Sequence, residues 1–548
     1  MLLIGDERSA SGSSPDMAAT QINSKPWSKA SREKSAEVIV PAEDGGREGL
    51  WCAVGLADNP TEVYIHKDYR MKERMQKIST RSDNCPQTSR PEAEGYAGVQ
   101  TFMRVVDGCL TAEQPTRYPL LEQILFPSNL NAAYKQVKRN KGAAGIDKMD
   151  CDRLLGYLME RGDALTESIR QRTYHPNPVR RVEIPKDNGK KRLLGIPTVV
   201  DRMVQQAIAQ VLTPIYERQF SDGSYGFRPR RGAKEALVRV TEIVGEGYRY
   251  AVGIDLERFF DTVNHAKMIE ILQRTVKDDA VISLIHRYLN AGVMVGTKVE
   301  PTHEGTPQGG PLSPLLANIL LNELDKELER RGHPFVRYAD DGLIFCKSRR
   351  AAERVRDSVT KFIEKELKLK VNREKTECAY IGRLKFLGYG FYVRDGKCRL
   401  RLHEKSEAKL RRKLKQITSR SNGMGYEQRK TALRNYLRGW SEYFNLADMG
   451  SKVSDIDKWL RRRLRLCIWK SWKLPRTRVK CCGVGSADNL IRCGIDRWQA
   501  YQWGNTSKGY WRIAGSWILT RAIGDEALRK AGYSWIGCYY SASALPKG

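Results

Sequence analysis

The sequence predicts a multidomain α+β protein, and three observations predict it. Between residues 182 and 400, short apolar, β-prone segments such as YAVGIDL (250–256), FVRYADDGLIFCKS (335–348) and LKFLGYGFYV (384–393) alternate with helical stretches such as DRMVQQAIAQVLTPIYERQF (201–220) and SPLLANILLNELDKELERRG (313–332). From about residue 402 to 475 the periodicity is helical and the helices are strongly basic. With 548 residues and an apolar fraction of 41%, the chain can fill cores for about two to four domains.

Residues 1–118 are rich in Ser, Gly, Pro and charged residues, and their apolar patches follow no period of a helix or strand. They are expected to be a poorly ordered extension, with AEVIV (36–40) and TFMRVV (101–106) as its strand or helix pieces. From Leu120, LLEQIL and then NLNAAYKQVKRNKGAAGID predict a short helix, a second helix and a basic loop containing glycine. A basic loop, KDNGKKR, runs from Lys186 to Arg192. Beyond residue 402, Leu410, Leu414 and Ile417 share one helix face, as do Leu433, Leu437, Trp440 and Phe444. Ser454 or Asp455 is expected to cap a third helix ending near Trp472. Its stripe of Ile456, Leu460, Leu464 and Cys467 or Ile468 leaves Arg461, Arg462, Arg463 and Arg465 on the other faces, so a small bundle with a basic exterior is expected. The tail from about 475 is rich in Trp, Tyr, Gly and basic residues without clear periodicity, and its fold stays open.

Lys and Arg number 95 against 64 acidic residues, a formal charge of +31, so a polyanionic partner is expected. The twelve cysteines run from Cys52 to Cys538 without a CxxC pair, which suits reduced thiols rather than a disulfide framework. There is no basic segment followed by an apolar leader and no run of 18 apolar residues, so neither secretion nor a membrane span is expected.

The sharpest chemical feature is Tyr338-Ala339-Asp340-Asp341, flanked by FVR and GLIF. This reads as strand, turn and strand, with two carboxylates at the tip, where apolar flanks make desolvation costly unless cations are bound. Taken alone it is equally an ordinary Asp-Asp-Gly turn. A second strand, YAVGIDL, ends in Asp255. One strand-end carboxylate beside two on a hairpin can chelate two divalent cations about 3.5–4 Å apart, the arrangement for phosphoryl transfer to a 3′-hydroxyl. Mg2+ suits such oxygen-only ligation. Between these elements, GTPQGG (305–310) is a glycine-rich turn, and Ser313-Pro314 marks the start of a long helix. Gln308 on that turn is a candidate nucleotide or template contact, and the loop from Lys186 to Arg192 a candidate grip on a triphosphate.

The ordered series IPKDNGKKRLLGIPTVVDRMVQQAI, SYGFRP, DLERFFDTVNH, GTPQGGPLSPLLANI, RYADD, KVNREKT and FLGYGF resembles the successive motifs of bacterial group II intron reverse transcriptases over roughly residues 120–400. The basic helices that follow, with LRGWSEYF, resemble the thumb or maturase domain of the same family. The resemblance implies a right-handed polymerase with residues 119–245 as N-terminal helices and fingers and 246–401 as a palm built on a ferredoxin-like antiparallel sheet. Residues 402–475 would be the helical thumb or maturase domain, and 476–548 a basic, Trp-rich region suited to DNA. Asp255, Asp340 and Asp341 would be the metal-binding catalytic triad; Phe260 the steric gate that rejects a ribose 2′-hydroxyl; Lys186 and Arg192 the triphosphate grip. Gln308 would line the nucleotide pocket and Lys375 would meet the departing pyrophosphate. NKGAAGID (140–147) matches the extra motif that helps cover the template, and FLGYGF the primer grip. Trp440, Trp459, Trp469 and Trp472 divide between base stacking and core, about half each.

The implied function is RNA-directed DNA synthesis by a two-metal mechanism with Mg2+, or Mn2+ in its place, together with intron RNA splicing and retrohoming. The implied partners are group II intron RNA, an RNA template with a DNA primer, dNTPs and target DNA, in a ribonucleoprotein of the bacterial cytoplasm or nucleoid. Cys481, Cys482 and Cys493 lack CxxC spacing and no histidine follows His403, so an HNH endonuclease is not expected, which resembles the endonuclease-lacking, class C-like members. Two alternatives remain at this level. One is a splicing maturase or domesticated relative in which polymerisation is secondary. The other is a viral-type RNA-dependent RNA polymerase, against which Phe260, YADD in place of Gly-Asp-Asp, and the maturase-like thumb all count.

Overall fold

A computed structural model describes residues 118–185, 191–472 and 486–543, with the backbone of two short paired strands, β1 (Val105–Val106) and β2 (Cys109–Leu110). All of them belong to one unit, Pro41–Gly548. The expected extension over residues 1–118 falls almost wholly outside the described residues, as do AEVIV and Lys186 with the rest of its loop to residue 190.

Helices α1 (Leu120–Leu125), α2 (Pro127–Asn140) and α3 (Leu154–Arg170) precede the hairpin of β3 (Val179–Pro185) and β4 (Lys191–Ile196) and the long helix α4 (Val199–Glu217). The start of α4 is built by two residues: the Thr198 hydroxyl accepts from the Asp201 amide and donates to the Asp201 carboxylate at 2.6 Å. Asp201 is fully buried and also accepts from the Tyr174 hydroxyl at 2.6 Å. Burial pushes its carboxyl above the usual range, against the pull of these donors. The chain continues through α5 (Ala233–Gly245), β5 (Tyr250–Ile254), α6 (His265–Thr275), α7 (Asp279–Leu289) and the hairpin of β6 (Val293–Val295) and β7 (Lys298–Glu300). Helix α8 (Ser313–Arg330) leads into the hairpin of β8 (Phe335–Tyr338) and β9 (Asp341–Cys346), then α9 (Arg349–Lys365) and β10 (Glu377–Tyr380).

The central sheet has the order β10-β5-β9-β8, antiparallel throughout. Strands β5, β8 and β9 are largely buried on both faces, which is why they read as nearly continuous apolar runs. Val252, Ile254, Ile344 and Cys346 face one core, shared with α4 and α6 to α9. Their neighbours Ala251, Leu343 and Phe345 face a second core, shared with α5 and with the elements that follow β10. The two-residue period of a strand thus ties both cores to one sheet. The β3–β4 hairpin forms a separate sheet, β4-β3-β6-β7, with β3 and β6 parallel.

A third sheet, β11 (Lys385–Phe386), β12 (Tyr389–Arg394) and β13 (Lys397–Leu402), leads into three helices: α10 (Glu404–Ile417), α11 (Tyr426–Tyr443) and α12 (Gly450–Trp472). The apolar faces read from the sequence are the buried ones, Leu410, Leu414, Leu433, Leu437, Leu460 and Leu464 among them. The expected cap at Ser454 or Asp455 is corrected: α12 starts at Gly450, because buried Val453 and Ile456 carry the apolar stripe a turn further upstream. The open tail also folds. Helices α13 (Ser486–Arg492), α14 (Arg497–Gly504), α15 (Tyr510–Ala514), α16 (Trp517–Ala522), α17 (Asp525–Lys530) and α18 (Ile536–Ser543) contribute to the second core.

That packing draws the arginines of α12 into contacts with neighbouring elements, and of the four only Arg465 is buried. The Arg465 side chain is buried and donates to the Ile523 carbonyl at 2.8 Å, and both Arg461 and Arg465 pair with Asp525. Arg462 lies 4.1 Å over the Trp511 ring and donates to its carbonyl, while Arg463 turns back to the Thr418 hydroxyl at 2.7 Å. The four arginines expected on the outer faces of α12 instead fasten it to its neighbours. Of the four tryptophans, Trp440 and Trp469 are buried and Trp459 and Trp472 partly so.

Candidate active site

The acidic residues are placed by strand register. Strands β8 and β9 pair Tyr338 with Asp341, leaving Ala339 and Asp340 as the two-residue turn. Ala339 takes a positive φ of 56°, as the tight turn between twisted strands demands. On the other side, β5 pairs Ile254 with Gly342, so one further step along the ladder sets Asp255 beside Asp341. Asp255, Asp340 and Asp341 are all half-buried. The end of β5 is held by the KVNREKT segment: the Asn372 amide donates to the Asp255 carbonyl at 2.9 Å and Leu256 bridges Val371.

Lys375 reaches back from that segment, and its ammonium lies 3.3 Å from Asp255 Oδ2. Hard carboxylate oxygens on adjacent ladder positions, one already drawing a cation to itself, are the donor chemistry that suits Mg2+. Among the described residues no three or more His, Cys, Asp and Glu side chains converge as a ready-made metal cage.

A second group gathers around the 305–310 turn. Arg192 Nε donates to Gln308 Oε1 at 2.9 Å, joining two residues that lie 116 positions apart. The Gly195 amide donates to the Gln308 carbonyl, and a Cβ at Gly309, whose φ is +126°, would stand 2.7 Å from the Gly195 carbonyl oxygen. Only glycine lets β4 and this turn approach so closely. The Thr306 amide donates to the Phe260 carbonyl at 2.6 Å. Phe260 itself is buried, edge-on to Phe259 at 5.2 Å. Lys186, the remaining predicted contact, lies outside the described residues.

The flanking motifs are equally well anchored. Arg202 and Arg180 donate to the carbonyls of Ala143 and Ala144 in the 140–147 loop at 2.7 and 3.1 Å. In FLGYGF, the Tyr389 hydroxyl donates to the Tyr443 carbonyl and the Tyr443 hydroxyl to the Leu387 carbonyl, so the β11–β12 turn is fastened to α11.

Sequence reasoning missed the residues beneath the acidic turn. Arg337, 3% exposed, pairs with the fully buried Asp325 at 2.5 Å. Burial pushes the Asp325 carboxyl up, and Arg337 pulls it back. The signal was available: an arginine inside the apolar strand FVRY has to find a buried partner.

Residues 184–391 match the family described as reverse transcriptase (RNA-dependent DNA polymerase), and residues 408–482 the group II intron, maturase-specific domain. The group II intron-encoded protein LtrA of Lactococcus lactis subsp. cremoris is 36% identical over 187 residues, 34% of this chain and 31% of that protein. Protein YkfC of Escherichia coli (strain K12) is 32% identical over 302 residues, 48% of this chain and 79% of YkfC. Nuclear intron maturase 2, mitochondrial, of Arabidopsis thaliana is 41% identical over 100 residues, 18% of this chain and 13% of that protein. The match thus spans about a third of LtrA and most of YkfC. No helix among the described residues is long and apolar enough to cross a membrane.

Proposed function

Because the chain belongs to the reverse transcriptase family in its group II intron form, with a maturase-specific domain after the polymerase core, we propose that it is an RNA-directed DNA polymerase that also binds intron RNA to promote splicing and retrohoming. The observation that carries the polymerase reading is the ladder register, which gathers Asp255, Asp340 and Asp341 at one end of the central sheet.

In the proposed reaction the primer 3′-oxygen bonds to the α-phosphorus of a dNTP, the bond from that phosphorus to pyrophosphate breaks, and the hydroxyl proton passes to solvent. Mg2+ or Mn2+ held by Asp255, Asp340 and Asp341 would neutralise the attacking and leaving oxygens. Lys375, largely exposed and paired with Asp255, is placed to swing from the carboxylate to the departing pyrophosphate. Arg192 and Lys186 grip the triphosphate, with Gln308 orienting Arg192 through their hydrogen bond. Phe260 supplies the apolar wall that excludes a ribose 2′-hydroxyl.

In this reading residues 119–245 are N-terminal helices and fingers, 246–401 the palm and 402–475 the thumb. Residues 476–548 extend the thumb toward DNA, with Trp498 and Trp517 more than half exposed. The net charge of +31 supports long RNA and DNA partners. The test pairs two assays on one variant. Asp340→Asn should abolish dNTP addition to a primer on RNA while leaving intron splicing intact; loss of splicing with retained extension would contradict the assignment.

A further inference from the structure

We propose that Arg337 is a positioning residue for catalysis, holding the Ala339–Asp340 corner through the Ala339 carbonyl; this rests on the polymerase reading of Asp340. Arg337 is 3% exposed, and its hydrogen bonds radiate in four directions. Nε and Nη2 bind the two carboxylate oxygens of Asp325 on α8 at 2.8 and 2.5 Å. Nη2 also donates to Ser224 Oγ at 2.8 Å, and Nη1 to Asn318 Oδ1 at 3.1 Å and to the Ala339 carbonyl at 2.9 Å.

The two-pronged bond to Asp325 fixes the guanidinium plane, and a fixed plane fixes where Nη1 points. It points at the turn. A non-glycine residue at positive φ persists only where its surroundings over-determine it, and Ala339 at 56° is so held from two sides. Beneath it, the Gly226 backbone lies so close that a Cβ there would come within 2.3 Å of the Ala339 nitrogen. Asn318 joins the two supports, since its Nδ2 donates to the Gly226 carbonyl at 2.8 Å while its Oδ1 receives Arg337. The strand is locked along its edge as well, because the Arg337 amide donates to the Gly223 carbonyl and the Arg337 carbonyl accepts from the Tyr225 amide. Asp325 neutralises the guanidinium and takes two of its five N–H donors, and Ser224, Asn318 and the Ala339 carbonyl take the other three, so the turn is one of the partners that a rigid, fully bonded guanidinium holds in place.

Arg337→Lys keeps the charge and loses the fork. In the full-length chain it should keep the melting temperature within a few degrees and duplex affinity and dNTP KM within a few fold. The kcat for primer extension should fall by about 10²-fold, the cost of a small misplacement of a reacting group. Mn2+ binding followed by electron paramagnetic resonance should weaken by about tenfold. Ser224→Ala, which removes one Nη2 acceptor with little loss of packing, should lower kcat several-fold and stands in if Arg337→Lys does not fold. Unchanged kcat and Mn2+ affinity in the folded variant overturn the proposal while wild type still extends. A wild-type chain that extends no primer overturns the polymerase reading itself, and this proposal with it.

Discussion

A carboxylate at a hairpin corner between apolar strands is costly to keep there unless a cation meets it, and Asp340 is half-buried in that position. Replacing it with Asn preserves shape and removes charge, so extension should be lost with no loss of thermal stability, as single-turnover kinetics beside a melting curve would register. Phe260 is different in kind, because it is at once a proposed gate and a buried core residue packed on Phe259. Phe260→Ala should raise rNTP incorporation relative to dNTP and cost about 3 kcal/mol of stability. If denaturation shows the cost and competition assays show no gain in rNTP use, the aromatic is core and nothing more. Lys375→Ala should slow pyrophosphate-releasing steps with little effect on folding, since the pair with Asp255 is exposed on the lysine side.

Legibility differs from one element to the next. The strand ending at Asp255, the hairpin that carries Asp340 and Asp341 and the helix opening at Ser313 could all be read from periodicity and turn chemistry, because local pattern and tertiary role agree there. The central sheet's two-faced burial erased the usual alternation but left short runs that were still recognisable. What stayed hidden depends on distant partners: Asp325 under Arg337, Tyr443 under the β11–β12 turn, and Asp525 against Arg461 and Arg465. The contacts of Arg461, Arg462 and Arg465 were hidden for the same reason, since the helices that claim them come from a tail too irregular to show a period. Asp457 is a further example, buried and accepting the amides of Ile536 and Gly537 at 2.9 and 2.8 Å. It caps the start of α18 from another helix, so Asp457→Ala should cost about 2 kcal/mol and loosen the C-terminal helices first. Hydrogen exchange that loosens α12 and α18 together would instead mean that the two unfold as one unit.

Across the whole molecule, charge and architecture make separate statements. A net charge of +31 predicts that RNA affinity falls steeply with salt, by on the order of 10³-fold between about 50 and 200 mM; a flat salt dependence in filter binding would place recognition in uncharged contacts. The second core runs continuously from the central sheet through α10 to α12 and the C-terminal helices, so removing residues 486–543 should destabilise α11 and α12 rather than excise a separable module. The proposed DNA polymerase activity on RNA rests on three carboxylates set by strand register. Single-nucleotide addition to a DNA primer annealed to RNA, with Mg2+ and the full-length chain, tests it most directly. Wild type should add the complementary dNTP and lose the activity on chelation, with Asp255→Asn, Asp340→Asn and Asp341→Asn each inactive. Addition at the wild-type rate by any one of these three folded variants would contradict it.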